Sequence, residues 1–244
     1  MELNEVLSEL ENLADPEVKK IKEAFAITAE NSHGIFLKDL KALAKKIGKN
    51  DDLALRLFDT GIYEARILCS TVFNPKNLTE PLMEKWVKTF ENWEICDTFC
   101  MGFMGKSEFV LAKAFEWAEY QPQYQKRAGF VLMVSYAFTD KHATNDVIRQ
   151  FFPIMKHHAS DERKYVMKGI NWALRQVGKR NQDLHQEAIE VAKEISAIGS
   201  RPARWIASDA LRQLQSPKVH FKNYPRKIYG RSKTDKLMEQ GRWM

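Results

Sequence analysis

Apolar residues recur at helical spacing in nearly every segment of this chain, and no stretch sustains a period-two alternation. Such a pattern can only be buried by packing helices against one another. Glycine (11) and proline (8) are scarce in the 244 residues, which excludes a turn-rich β sandwich or barrel. The periodicity predicts helices near 3–14, 17–29, 36–47, 51–60, 62–72, 79–89, 93–104, 107–119, 122–139, 144–158, 162–178, 183–198 and 202–215. Asn50, Thr79, Ser107 and Thr144 stand where N-caps belong, and Gly199-Ser200-Arg201-Pro202 reads as one helix ending and another beginning. Pro153 should kink or break the 144–158 segment.

The linkers are short, so neighbouring helices should pack antiparallel. From residue 50 onward they fall into pairs whose second members start near 62, 93, 123, 162 and 202. A repeat of about 30–40 residues suits an α-helical solenoid of the HEAT or armadillo kind, with an irregular helical bundle as the alternative. The expected architecture is one all-α repeat domain over 1–215, followed by a basic tail, 216–244, read as extended or disordered. In a solenoid the second helices line one surface, so residues distant in sequence can share a concave groove.

Charge is distributed unevenly. Residues 1–100 hold 13 Lys+Arg and 18 Asp+Glu, residues 101–215 hold 17 and 12, and the tail holds 8 and 2. Positive charge gathered in one half suits a polyanionic partner, and it equally suits a solvated face with a solubilising tail. Three cysteines, Cys69, Cys96 and Cys100, cannot close a disulfide framework and point to a reducing, cytoplasmic setting. The first residues lack a signal-peptide pattern, and the longest uncharged apolar run, 128–138, is too short to span a membrane. Cys96 and Cys100 read as small core residues, and no cysteine–histidine set completes a metal site. Walker, GxGxxG, GxSxG and HExxH motifs are absent, against a nucleotide-hydrolysing or Rossmann enzyme.

Two segments carry residues that packing alone does not explain. On 162–179, Val166, Ile170, Ala173, Leu174 and Val177 form the burying stripe, while Tyr165, Lys168, Trp172, Arg175 and Lys179 make an aromatic-basic row on the opposite face. Interleaved rings and cations suit a phosphodiester backbone. The bland alternative is a tryptophan packed on the next repeat among ordinary surface cations. On 93–104, Ile95, Phe99 and Phe103 make the core stripe, and Trp93 and Asp97 pair at i, i+4 on a neighbouring face. A carboxylate shielded by an indole can act as base, nucleophile or stabiliser of a developing cation; its bland alternative is a salt bridge to a lysine. The 122–139 segment is apolar almost all round, which places it centrally, and Arg127 at its edge requires a carboxylate or a phosphate.

These residues carry a resemblance. Asn92-Trp93-Glu94-Ile95-Cys96-Asp97, then Gln125-Lys126-Arg127-Ala128, then the run from Lys168 to Arg175 that contains Asn171-Trp172, resemble the HEAT-like-repeat DNA alkylation repair proteins of the AlkD type over roughly 35–215. The resemblance implies a DNA glycosylase that releases N3- and N7-alkylated purines from double-stranded DNA without metal or organic cofactor, as a monomer with no membrane. It implies Asp97 as the catalytic aspartate, Trp93 and Trp172 as the rings embracing the lesion nucleotide's backbone, Arg127 on a nearby phosphate and Arg175 as a further DNA contact. Tyr165, Lys168 and Lys179 join the DNA-binding set through the row described above. The chain departs from the pattern in two places. Family members often have tandem tryptophans where Asn92-Trp93 stands, and Ser135 occupies the position of a lysine expected about two turns beyond Arg127. The rival expectations are a non-catalytic family member binding branched or distorted DNA, and a helical protein-binding scaffold.

Overall fold

The computed structural model describes residues 1–230, and these are helical throughout apart from short connections. Contacts divide the chain into two compact units, Met1–Phe109 and Val110 onward.

The first unit holds α1 (Leu3–Asn12), α2 (Pro16–Ala24), α3 (Leu37–Ile47), α4 (Asp51–Asp59), α5 (Tyr63–Val72), α6 (Glu80–Val87) and α7 (Trp93–Gly102). Helix α5 packs between α3 and α7, with α4 laid against it. Helix α1 packs on both α4 and α5, so the N-terminal helices are part of this unit. Trp86 of α6, fully buried, lies with its ring centroid 5.4–5.7 Å from those of Phe58, Phe73, Phe99 and Phe103. Truncating a buried tryptophan of this kind costs about 3–5 kcal/mol.

The second unit holds α8 (Val110–Ala118), α9 (Gln123–Thr139), α10 (Asn145–Arg149), α11 (Phe151–His157), α12 (Lys164–Gly178), α13 (Gln182–Ala197), α14 (Arg201–Leu214) and a last turn, α15 (Arg226–Tyr229). Helices α9, α12 and α14 stack as one layer, with α8, α11 and α13 as the other. Helix α9 is the central element, buried around nearly its whole circumference. A Cβ at Gly129 would come within 2.3 Å of the Ala118 backbone nitrogen, so only glycine lets α8 and α9 approach this closely.

The periodic pattern locates most of these helices to within a few residues, but α2 ends at Ala24 and not at 29, with Ala26 taking a positive φ of 57°, and the short α15 falls in the tail expected to be extended or disordered. The 144–158 segment is two helices separated at Gln150, and Pro153 occupies the first turn of α11, where its missing N–H costs no hydrogen bond. Ser107 does not start α8. Its hydroxyl donates to the Met104 carbonyl at 2.7 Å and closes the preceding 3-10 turn instead. Asn50 caps as expected, Ser200 caps the helix expected to start near Pro202, and Thr79 and Thr144 occupy N-cap positions without a side-chain cap bond.

After α14 the tail makes a turn in which Val219 N donates to Ser216 O at 3.1 Å, and its described part is anchored to the second unit. Lys222 N donates to Lys179 O at 2.9 Å, Tyr224 N to Arg180 O at 3.1 Å, and Asn181 Nδ2 to Tyr224 O at 2.6 Å. Arg180 is fully buried, and its guanidinium donates to the carbonyls of Ala137, Asp140 and Ala143. The remainder of the tail, 231–244, lies outside the described residues.

Candidate functional site

In the first unit the site is α7. Asn92 caps it, its Oδ1 accepting from Glu94 N at 2.9 Å and Ile95 N at 3.1 Å. The same amide donates to Thr28 O at 3.2 Å. The Glu94 carboxylate is paired with the buried Lys22 at 2.8 Å and accepts from the Tyr63 hydroxyl at 2.9 Å. Lys22 also donates to Ile35 O at 2.9 Å. Burial, together with the Glu94 charge, pushes the Tyr63 hydroxyl well above its ordinary value, so it remains a donor. Thus α2, the loop after it and α5 all fix the start of α7.

The consequence is orientation. Ile95 and Phe99 point into the core with Cys96 and Cys100, all fully buried, which leaves Trp93 and Asp97 half-buried on the open side one turn apart. The Trp93 indole N–H donates to Phe25 O at 2.9 Å. The ring is therefore held by the turn after α2, where Phe25 itself is 67% exposed. Asp97 is neither sealed in the core nor fully hydrated, the setting in which a carboxylate's charge acts strongly on a neighbour.

In the second unit the site is α12. The expected stripe, Val166, Ile170, Ala173, Leu174 and Val177, is fully buried, and Tyr165, Lys168, Trp172, Arg175 and Lys179 are all partly or fully open. Lys168 and Lys164 place their ammonium groups 5.9 and 5.4 Å from the Tyr165 ring centre. Arg175 donates to Gln213 and lies 4.0 Å from Asp209. Burial, opposed by Asp209 and helped by Arg212, holds its guanidinium below the ordinary value. Burial and then the Arg175 charge do the same to Lys179. Lys179, Arg212, Lys218 and His220 line an open hollow of about 490 Å³, so the tail adds Lys218 beside the α12 row. Partly desolvated cations that repel one another gain from a bound anion.

Arg127 sits deeper than the row, 5% exposed, and donates to Tyr165 O at 2.8 Å. Its neighbour Lys126 lies 3.7 Å from Asp161 in a buried pair that Arg163 completes. Burial alone would raise the Asp161 carboxyl, but the hydrogen bonds from Arg163 outweigh it and hold the group below its ordinary range. Ser135 is fully buried in α9 and presents nothing to the surface.

Sequence reasoning missed several members of these sites. Lys22, Tyr63 and Glu94 left no local signal, whereas Asn92 just ahead of an apolar-periodic run is an N-cap pattern that was there to read. Among the described residues, Glu119, His157 and His158 are the one group whose potential ligand atoms lie within 4.8 Å of one another, and His158 Nε2 is already 2.8 Å from Glu119 Oε1. The His158 hydrogen bond keeps Glu119 ionised, and burial lowers His158, which describes a neutral imidazole on a carboxylate. No helix of the described residues is long and apolar enough to cross a membrane.

The family model described as DNA alkylation repair enzyme matches residues 6–214. An uncharacterized protein of Listeria innocua is 25% identical over 199 residues, spanning 78% of this chain and 85% of its own, and one of Listeria monocytogenes is 24% identical over the same shares. A solved structure matches with a TM-score of 0.74 at 20% identity over 95% of this chain and 97% of its own. It is described as one of a new family of proteins related to the HEAT-like repeat DNA glycosylases with affinity for branched DNA structures. The all-α fold is therefore HEAT-like. A match over nearly the whole of the described chain also settles kinship: this protein belongs to the DNA alkylation repair enzyme family.

Proposed function

We propose that this protein is a DNA glycosylase that hydrolyses the N-glycosidic bond of cationic N3- or N7-alkylated purines in double-stranded DNA and leaves an abasic site. The observation that carries this reading is the Trp93–Asp97 pair on the open side of α7, with the indole anchored and the carboxylate half-buried. An alkylated purine of this class already bears positive charge. As its bond to C1′ breaks, the base takes the electron pair and leaves neutral, and cationic character develops on the sugar. Asp97 stabilises that cation and orients the water that adds to C1′, and this water gives up one proton. The indole face of Trp93 adds cation–π attraction, and the Trp172 ring is assigned to the lesion nucleotide's backbone. Arg127, Arg175, Lys168, Tyr165 and Lys179 serve the DNA backbone. We place the protein in the cytoplasm, acting as a monomer; three cysteines joined by no disulfide suit that compartment.

The alternative is affinity for branched DNA without catalysis, as described for the structural relative. A half-buried carboxylate beside an indole is unneeded for holding a polyanion and speaks for chemistry. Release of 7-methylguanine from methylated duplex decides between them. Asp97→Asn should lower release by at least ~100-fold while binding is kept; equal release by the variant removes Asp97 from the mechanism, and no release by the unaltered protein leaves the binding-only reading.

A further inference from the structure

The α12 row does not end the aromatic-basic surface of the second unit. Beside it, α12 and α14 enclose an open hollow of about 500 Å³. Its apolar part is Trp205, Met167 and Pro202, and its cations are Lys164, Lys168 and Arg201, with Glu162 the one acid at the rim. Trp205 lies off the buried stripe of α14, which runs through Ala203, Ile206, Ala207 and Ala210, and it is 40% exposed. Among the described residues its indole N–H has no hydrogen-bond partner, and Lys164, Lys168 and Arg201 have no carboxylate partner. Hydrated cations and one open ring are stable in water, but an indole face bordered by three cations without acid partners offers a ligand that combines a flat ring with a phosphate both a stacking surface and charge.

We propose that this hollow binds an unpaired nucleotide of a DNA strand, its base stacked on Trp205 and its phosphates held by Lys164, Lys168 and Arg201. The inference rests on the reading of the protein as acting on DNA, and it names a substructure that reading does not require. Within a duplex paired bases present edges and not faces, so an internal base reaches an indole face inside a recess only after it has left the stack. Stacking on a ring is sequence-tolerant, and the hollow has no array of donors and acceptors to read a base edge. The volume falls in the range of small-ligand sites and is far too small for a duplex.

The test uses the full chain, with one duplex made blunt and the same duplex carrying a single-stranded oligothymidylate tail, at matched salt. Binding should be about 10-fold tighter to the tailed form, and Trp205→Ala should abolish most of that preference while blunt-duplex affinity stays within about 2-fold. Trp205→Phe should retain the preference, which guards against a folding defect in the alanine variant. Equal affinity of the unaltered protein for the two duplexes overturns the proposal. So does an equal loss on both duplexes for the Phe and Ala variants, or displacement of the tail by oligoglutamate as readily as by oligothymidylate. A tail preference lost in Trp205→Ala without any base release would sink the glycosylase reading alone; base release without tail preference would sink this one alone.

Discussion

Both units bury ionic groups, Lys22 with Glu94 in the first and Lys126 with Asp161 in the second, but the second also turns an aromatic-basic row outward. In the first, ionic groups are spent inward. Glu64 is fully buried and accepts from Ser32 Oγ at 2.8 Å and from the backbone nitrogens of His33, Gly34 and Ile35 at 2.9, 3.1 and 3.4 Å. Lys22 and Glu94 meet as a buried pair. These groups hold the loop after α2 against α5 and α7, and so aim one indole and one carboxylate. In the second unit the cations of α12 and α14 stand outward and are only partly matched by acids. A scaffold that positions one acid needs rigidity; a surface that holds a polyanion needs unneutralised charge. The uneven distribution of charge along the sequence is the trace of that division.

The largest effect that bears on this contrast is at Lys22. Removing one partner of a buried pair leaves the other uncompensated, so Lys22→Met should destabilise the protein by about 3–5 kcal/mol in denaturant unfolding. The double variant Lys22→Met, Glu94→Gln should recover much of the loss, since neither partner is then left charged and alone. A Lys22→Met protein as stable as the parent would mean that Glu94 is adequately held by Tyr63 alone, and the inward use of charge in the first unit would be incidental.

Next in size is Trp172→Ala. The half-buried ring on the open face should matter to ligand more than to fold. DNA affinity and base release should each fall about 10-fold, with the unfolding midpoint little changed. A loss of several kcal/mol in stability with unchanged affinity of the folded fraction would make Trp172 a packing residue, and the outward character of α12 would shrink to its cations.

What was legible in the sequence follows from the range over which each signal acts. The buried stripe and open row of α12, the core stripe of α7 and the all-round burial of α9 all follow from 3.6 residues per turn, a property of ten or so neighbouring residues. The break at Gln150 was foreshadowed by Pro153 for an equally local reason. Glu64 with residues 32–35, Lys22 with Glu94, and Arg180 with the carbonyls of 137–143 are pairings between distant positions. They depend on how helices register against one another, which no local period encodes. The same holds for Trp205, which reads as one more surface residue until α12 is laid beside α14.

The smallest effect is the sharpest probe of the outward charge. Burial first, and then Arg175, lower the pKa of Lys179, so in the DNA-free protein it gives up its proton at a lower pH than an ordinary lysine. A phosphate beside it favours the charged form and raises that pKa again. Binding therefore takes up a proton once pH passes the depressed value, and affinity should fall as pH rises through that alkaline window, by at most one proton per complex. Below the window Lys179 is charged with or without DNA, and pH should have no effect through it. Lys179→Gln should flatten this alkaline fall and reduce the slope of log affinity against log salt by about 0.9, the share of one phosphate contact. An alkaline fall that persists in Lys179→Gln would assign it to other groups and take Lys179 out of the phosphate-binding row.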